Sequence, residues 1–264
     1  MAIHPTAIID PSARLGDVDV GPYAVVGPDV ELGDGVVLGP HAVVEAHTVV
    51  GAGTRLAAHA VLGGAPQDRK HDPRVPTRLV VGRDNDFREF TTAHRGSSAL
   101  RGLTVIGDGN LFMANSHVAH DCLVGDGCVF ANSAAVAGGV EVGDGAVLGG
   151  LAAVHQGARV GRLAMVGGGA MCAQDVPPFT LAQGDRARLH GLNITGLRRA
   201  GFDDASIGAL KEAWRVLFDD ELPRRTAVGR VAETLGHHPA VAELLAFMAA
   251  SQRGICRAGR QVAR

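Results

Sequence analysis

Apolar residues recur at every sixth position through the middle of the chain, and no polar residue interrupts this series. A second column, mostly of small residues, lies two positions before each apolar member. The pattern is typical of a parallel β-helix, in which each hexad supplies one short strand and one corner, and three hexads complete a triangular coil of eighteen residues. The apolar series is Ile106, Phe112, Val118, Val124, Phe130, Val136, Val142, Leu148, Val154, Val160, Val166 and Cys172. The small series is Asn110, Ser116, Cys122, Cys128, Ala134, Val140, Ala146, Ala152, Ala158, Ala164 and Ala170.

An ordinary β-sandwich is the main alternative to this fold. Its strands would be irregularly spaced and richer in aromatic residues than a chain with 4% Phe, Trp and Tyr. Glycine also recurs just after the apolar member, for example at Gly107, Gly125 and Gly143, as corners with unusual backbone angles require. The sequence therefore favours the β-helix.

The hexads begin at Ile3 and slip by one residue at Val20, which we interpret as a bulged corner. They break twice, and we predict external loops near 63–80 and 95–103, with regular hexads resuming from Val81 between them. Insertions in a solenoid leave the stack as loops and often carry binding groups. The first loop is polar and charged, so we predict a functional flap there in preference to a tolerated insertion.

The repeat ends at the sequence AQDVPP, where two prolines stop strand pairing. We therefore assign residues 1–190 to the β-helix and residues 191–264 to a C-terminal helical region. Asp203 or Asp204 is the predicted cap of its first long helix, while Pro223 and Pro239 open two more. The apolar stripes of these helices are read as packing faces.

The overall charge excludes some classes of partner. A chain of 264 residues with a net charge of -2 has no global basic signal for nucleic acid or a membrane surface. No apolar run reaches 18 residues, and a repeat starting at Ile3 leaves no room for a signal peptide, so we expect a cytoplasmic protein without membrane insertion. The four cysteines form no CxxC pair, and Cys122, Cys128 and Cys172 fall in inward columns, which favours packing over disulfides or metal binding.

The run NSHVAHDC carries the clearest chemical signal. His117 and His120 flank the inward residue Val118, and Asp121 follows directly. Eighteen residues after His120 lies Gly138, and stacked strands lie about 4.8 Å apart, so the two should be vertical neighbours. A histidine base beside an amide without a side chain is the pair of groups that acyl transfer needs, one for the proton and one for the oxyanion.

Two further histidines extend this edge. His155 lies about two coils beyond His120, and His94 lies on its other side, beyond the second loop. A groove on a single chain would be long and shallow, so a deep pocket requires a neighbouring subunit and predicts a symmetric oligomer. A zinc site is the competing interpretation, because three histidines on a β-helix can bind the metal as in gamma-class carbonic anhydrases. That class explains neither the loops nor the helical region.

These motifs, with PQDRK, AVHQG, MVGGGAMCAQDVPPF and GLNITGLRRAGF, closely resemble the UDP-N-acetylglucosamine O-acyltransferases that begin lipid A biosynthesis in Gram-negative bacteria. The resemblance covers the chain from Ile3 to about Arg257. It implies a cytoplasmic homotrimer of left-handed β-helices with active sites between subunits. The implied reaction moves a 3-hydroxyacyl chain from acyl carrier protein to the 3-hydroxyl of the UDP-sugar, with no metal or organic cofactor.

The resemblance also implies residue roles. His120 matches the general base, Asp121 the residue that orients it, and Gly138 the donor to the thioester oxyanion. A glycine at Gly168, the position that limits chain length in the family, implies an open channel and a long acyl chain. The positions that match substrate-binding residues are Asp68, Lys70, His94, His117, His155, Gln156, Asn193 and Arg199.

Three positions depart from the best-known members of the family. Gly139 stands in place of a histidine, Thr195 in place of a glutamate and Ala200 in place of an arginine. The missing histidine leaves open N-acylation of the 3-amino analogue of the sugar.

Other rivals have the same β-helix. The related N-acyltransferase later in the pathway carries an additional N-terminal uridine-binding domain, for which a repeat starting at Ile3 leaves no room, and a non-enzymatic scaffold would turn over no acyl donor. We expect direct transfer of the acyl chain without a covalent enzyme intermediate, because no Gly-X-Ser-X-Gly elbow is present.

The resemblance implies an acidic carrier protein, which would bind basic residues of the helical region. The tail from Arg253 to Arg264 is interpreted as a solvated end. The basic candidates are Arg198, Arg199, Arg215, Arg224 and Arg225.

Overall fold

The computed structural model describes residues 2–218 and 222–259, and within them the chain forms a left-handed parallel β-helix followed by four helices. The first sheet contains β1 Ala2–Ile3, β4 Asp19–Val20, β7 Val37–Leu38, β10 Arg55–Leu56, β13 Asp86–Phe87, β16 Leu111–Phe112, β19 Val129–Phe130, β22 Val147–Leu148, β25 Met165–Val166, β27 Thr180–Gln183 and β28 Arg188–Leu192. The second contains β2 Ile8–Ile9, β5 Val25–Val26, β8 Val43–Val44, β11 Val61–Gly64, β14 Thr92–His94, β17 His117–Val118, β20 Ala135–Val136, β23 Ala153–Val154 and β26 Met171–Cys172. The third contains β3 Arg14–Leu15, β6 Glu31–Leu32, β9 Thr48–Val50, β12 Arg78–Val81, β15 Leu103–Ile106, β18 Leu123–Val124, β21 Glu141–Val142 and β24 Arg159–Val160.

The register between coils is eighteen residues wherever the hexads are regular. His117 pairs with Ala135, and Ala135 pairs with Ala153, so each side chain lies directly above its counterpart. The slip before Val20 is not the bulge that the sequence led us to expect. Ala2 pairs with Asp19, which shows that the first coil has one residue fewer and that its corner after β3 is shortened.

The two inward columns form a continuous core. The small column leaves space at the corners, and the large column fills the centre of the prism, where the rings of Phe87 and Phe112 stack with centroids 4.5 Å apart. Burying one such side chain stabilises the fold by about 1.5–3 kcal/mol, so the repeat is held mainly by this column. All four cysteines are buried and free, and burial raises the pKa of Cys122 to about 12.

Gly-Asp pairs at the corners between the third and first sheets connect successive coils. The Asp126 carboxylate accepts from the Asp108 amide at 2.7 Å, and the Asp144 carboxylate accepts from the Asp126 amide at 3.0 Å. A Cβ at Gly107 would overlap the Asp126 carboxylate, so the glycine leaves the space that this carboxylate occupies. The repeated GD sequence is therefore a hydrogen-bonding device.

The two ends of the prism differ. At the N-terminal end the first strands have one sheet edge open, and Ile8 is 65% exposed. At the other end stacking continues past Pro177 and Pro178, because β27 pairs in parallel with β25 before β28 turns back antiparallel. The hexad pattern thus ends earlier than the sheet does.

The helices cover this second end. They are α1 Ile194–Arg199, α2 Asp204–Leu217, α3 Arg224–Leu235 and α4 Pro239–Ala249. Asp203 is the N-cap of α2, since its carboxylate accepts from the Ser206 amide at 2.8 Å. Arg162 pairs with Glu243 at 2.7 Å and fastens α4 to the prism. No helix in the described ranges is long and apolar enough to cross a membrane, and residues 260–264 of the basic tail lie outside those ranges.

Replacing Ile106 by Ala should lower the free energy of unfolding by about 2–5 kcal/mol, because its side chain is 1% exposed and leaves a cavity. Ile8→Ala is the matched control, and it should change stability by less than about 0.5 kcal/mol. Urea denaturation followed by circular dichroism measures both. Equal losses would contradict the assignment of stability to the inward column.

Candidate active site

His120 lies at the corner between β17 and β18, outside the hydrophobic core of the prism. Asp121 adopts a left-handed backbone with φ 61°, which turns the chain there and brings its carboxylate beside its neighbour. The His120 Nδ1 lies 2.7 Å from Asp121 Oδ2. An ionised carboxylate accepts only, so Nδ1 carries the proton and Nε2 is left as an acceptor.

The second loop buries this pair. The Asp121 carboxylate accepts from the amides of Ser97 and Arg101, both at 2.9 Å, and it is fully buried. The Asp121 amide donates to Thr104 Oγ1 at 2.7 Å. His120 points away from the core as expected, yet it is only 7% exposed because the loop covers it. The fold thus holds the imidazole in one orientation.

Gly138 lies one coil beyond His120, as the eighteen-residue register predicts. A Cβ on Gly138 would lie 2.5 Å from His120 Cε1 and 2.7 Å from Nε2, so no side chain fits there. The neighbouring Gly139 amide donates to the His120 carbonyl at 2.9 Å, whereas the Gly138 amide donates to no acceptor within the described ranges. A free N–H therefore lies next to a free imidazole nitrogen.

His94 and His117 form the lower part of the same edge. Their rings meet edge to face with centroids 4.9 Å apart, and His117 Nδ1 lies 2.7 Å from Thr92 Oγ1. Burial lowers the pKa of His94 to about 4, and the repulsion that positive charge on His117, His120 and Arg95 would exert on a protonated ring adds to this effect. Burial also lowers the pKa of His117. Both rings are neutral at pH 7.

The first loop reaches this edge through Asp68. Its carboxylate accepts from the Lys70 amide at 3.0 Å and from the Ser97 hydroxyl at 2.7 Å, and these hydrogen bonds lower the pKa of Asp68. The Lys70 side chain is exposed. The two predicted loops therefore join and place Asp68 near the histidine pair.

A cavity of about 430 Å³ continues beyond Gly138 towards the helices. Its lining includes Leu100, Gly139 and Gln156. Arg101 and Glu141, which also line it, form a salt bridge in which Arg101 donates to Glu141 at 3.1 Å. His155 is exposed just beside it, with Nδ1 3.2 Å from the Gln156 carbonyl. The edge thus provides apolar and polar contacts on one continuous surface.

Three predicted positions lie away from this edge, one at another corner of the prism and two on α1. Gly168 is at a corner between the first and second sheets, where a Cβ would meet only the Gly150 carbonyl at 3.3 Å. Asn193 caps α1 and donates to the Leu163 carbonyl at 2.9 Å, so both polar ends of its side chain are used internally. Arg199 is exposed at the end of α1. A single chain does not bring these positions to His120.

The zinc interpretation lacks a ligand set. Across residues 2–218 and 222–259, no three His, Cys, Asp or Glu side chains are placed to hold one metal ion.

Sequence reasoning missed Ser97, Arg101 and Thr104, which together fix Asp121. The first two lie in the segment RGSSALRG, which has no hexad periodicity, so its only signal was that it interrupts the repeat. Which amide of an irregular loop reaches a carboxylate depends on the loop's path, and residue spacing does not give that path.

Comparisons with known proteins agree with this fold. The model of the bacterial transferase hexapeptide family matches residues 16–46, 29–64 and 103–138, which defines a hexapeptide-repeat transferase. The model described as UDP N-acetylglucosamine O-acyltransferase, domain 2, matches residues 175–256.

Relatives named acyl-[acyl-carrier-protein]–UDP-N-acetylglucosamine O-acyltransferase match nearly the whole chain. The protein of Cupriavidus necator is 52% identical and that of Thermodesulfovibrio yellowstonii 45%, each covering 97% of this chain and 99% of the relative. The solved LpxA of Acinetobacter baumannii superposes with a TM-score of 0.93 at 38% identity, covering 97% of this chain and 99% of that one. The chain belongs to the UDP-N-acetylglucosamine O-acyltransferase family.

The stability of the protein should fall as the pH drops from about 6.5 to about 4, in part because of His94. Folding lowers the pKa of His94, so between these pH values the unfolded chain binds more protons than the folded chain. Each unit by which the pH falls then lowers the free energy of unfolding by up to about 1.4 kcal/mol. The measurement is urea denaturation across this range for the wild type and for His94→Gln. The free energy of unfolding of the variant should depend less steeply on pH over this range. Equal pH dependence in the two proteins would contradict the burial of a neutral ring at residue 94.

Proposed function

We propose that this protein transfers a 3-hydroxyacyl chain from acyl carrier protein to the 3-hydroxyl of UDP-N-acetylglucosamine, the first step of lipid A biosynthesis. The observation that carries the proposal is the free Nε2 of His120 beside the free Gly138 amide. The names of the full-length relatives agree with it. The cytoplasm is the proposed location, as the family resemblance implies.

The reaction uses these two groups. The sugar hydroxyl attacks the thioester carbonyl carbon while His120 Nε2 takes its proton, and the buried Asp121 carboxylate stabilises the imidazolium. The Gly138 amide donates to the oxyanion of the tetrahedral intermediate. The intermediate collapses with cleavage of the carbon–sulfur bond, and the imidazolium returns the proton to the departing thiolate.

Direct transfer is favoured over a covalent acyl-enzyme. Cys122 follows Asp121 directly in the chain, and burial raises the pKa of its thiol, like that of Cys128, to about 12. A thiol that stays protonated at neutral pH is a poor nucleophile.

A homotrimer would bring the separate edges together. The Gly168 edge carries a stack of exposed rings, Tyr23, His41, His59 and Phe90, with centroids 4.9 to 5.1 Å apart. Tyr23 is 57% exposed and Phe90 56%, and a continuous stack of exposed rings with an apolar residue at each end supports contact with another copy of the chain. Gly168 and Asn193 of one subunit then approach His120 of another, and the open corner at Gly168 leaves space for a long acyl chain.

The carrier protein would bind at the helical region. Arg198 and Arg199 end α1, Arg215 lies on α2, and Arg224 and Arg225 begin α3, all exposed. Exposed arginines can pair with the carboxylates of an acidic partner.

N-acylation of the 3-amino analogue is the second candidate. Gly139 provides no side chain at a position where related enzymes carry a histidine, and the Leu100 side chain comes within 3.2 Å of the place its Cβ would take. The acceptor group of the sugar would therefore lie beside the apolar side chain of Leu100 and not beside an imidazole.

Mass spectrometry of products from a mixture of both sugar nucleotides and several acyl donors tests the proposal. We expect an ester of UDP-N-acetylglucosamine with a long 3-hydroxyacyl chain, because the open corner at Gly168 does not restrict length. An amide product would support the second candidate. No acylated product with any donor would contradict both and favour a scaffold.

His120→Ala should lower kcat by about 100- to 10,000-fold, the usual contribution of a general base, while the fold is retained because the ring lies outside the core. His190→Ala, which removes an exposed histidine, is the control and should keep the wild-type rate. Steady-state assays with acyl carrier protein as donor measure both. A variant at residue 120 with a tenth of wild-type activity would overturn the assignment.

A further inference from the structure

Ser97 makes contact with two acidic groups that have different expected roles. Its hydroxyl donates to Asp68 Oδ2 at 2.7 Å, and its amide donates to Asp121 Oδ2 at 2.9 Å. We propose that Ser97 is a positioning residue that fixes Asp68, and through it the acceptor sugar, relative to the His120–Asp121 pair. This inference rests on the function proposed above and on the substrate-binding role that the family resemblance implies for Asp68.

The connection between the two loops is short and direct. Asp121 Oδ2, which accepts from Ser97, is also the atom that lies 2.7 Å from His120 Nδ1. On the other side, Asp68 accepts from the Lys70 amide through Oδ1. A single residue therefore joins the first loop to the catalytic histidine through two hydrogen bonds to carboxylates, which are stronger than those between neutral groups.

Ser97 is held rigidly enough to transmit this alignment. It is fully buried, and its carbonyl accepts from the amides of Leu100 and Gly102, both at 3.0 Å. The preceding Gly96 donates to the Arg78 carbonyl at 3.1 Å, and a Cβ there would overlap the backbone of Gly102. The backbone of Ser97 is thus fixed on both sides, and its hydroxyl oxygen also accepts from the Ala99 amide at 3.3 Å, which holds it in place for the hydrogen bond to Asp68.

Asp68 has no comparable support. It is half-buried on a loop whose neighbour Lys70 is exposed. Without the Ser97 hydroxyl, its carboxylate keeps only the hydrogen bond from the Lys70 amide within its own loop. Displacing a substrate-positioning group by about 1 Å can cost 100-fold, so a small shift of Asp68 is enough to weaken acceptor binding.

The neighbouring Ser98 offers a matched control. Its hydroxyl accepts from the Asp72 amide at 2.7 Å, and its own amide donates to His71 Nδ1 at 3.2 Å. Ser98 therefore joins the same two loops, but neither of these bonds involves Asp68 or Asp121. A role limited to holding the loops together predicts similar effects at both serines.

The experiment compares kcat and KM for UDP-N-acetylglucosamine in Ser97→Ala, Ser97→Thr, Ser98→Ala, Asp68→Ala and the double variant Ser97→Ala/Asp68→Ala. Ser97→Ala should raise KM about 10- to 100-fold, the range for a lost hydrogen bond to a charged group, with kcat changed much less. Ser97→Thr keeps the hydroxyl and should restore KM, while Ser98→Ala should leave it unchanged. In the Asp68→Ala background, Ser97→Ala should have no further effect.

Several results would overturn the inference: an unchanged KM in Ser97→Ala, an equal rise in Ser98→Ala, or independent losses in the double variant. If Ser97→Ala does not fold, Ser97→Cys supplies the test, because a thiol is nearly the same shape but a weak donor. Failure of the proposed function is distinguishable, since it would show as retained activity in His120→Ala or as no acylation by the wild type.

Discussion

The hydrogen bonding between successive coils is the interaction on which the rest of this structure depends. A constant spacing of eighteen residues places each side chain above its counterpart, for example Ala135 above His117. The same spacing assembles the core and the site, because it stacks the aliphatic column inside the prism and sets Gly138 against His120 outside it. The fold and the placement of these two residues therefore come from one spacing, from which the shortened first coil and the two loops depart.

Those loops account for the precision of the site. The stacked coils bring an imidazole and an amide together, but they leave the imidazole at an exposed corner. The second loop covers that corner and donates two amide hydrogen bonds to Asp121. It also contacts the first loop through the hydrogen bond from the Ser97 hydroxyl to Asp68. Regular repeats thus place the imidazole, and irregular segments orient it and bury it, as the proposed mechanism requires of a general base.

Prediction from the sequence succeeded for the periodic features of the molecule and failed where periodicity ends. The inward columns, the three long helices and the neighbouring positions of His120 and Gly138 all depend on residue spacing, and the structure confirms them. The shortened first corner was misread as a bulge, although Val20 follows Leu15 by only five residues and that spacing itself indicates one residue fewer. The partners of Asp121 were not predictable, since the path of RGSSALRG depends on tertiary contacts with the first loop. Positions on different edges, such as Gly168, would form one site only in the proposed homotrimer, and the spacing of residues within one chain does not give that arrangement.

The unequal ends of the prism have a consequence for association along its axis. The first coil presents open strand edges, whereas β28 and the helices close the opposite end. Unpaired edges recruit other strands, and a rod with two such ends could grow into a fibre. With one end closed, two molecules can join only through their first coils, and further addition along the axis has no edge to use. By covering the second end, the C-terminal helices therefore limit polymerisation along the axis, in addition to carrying the exposed arginines.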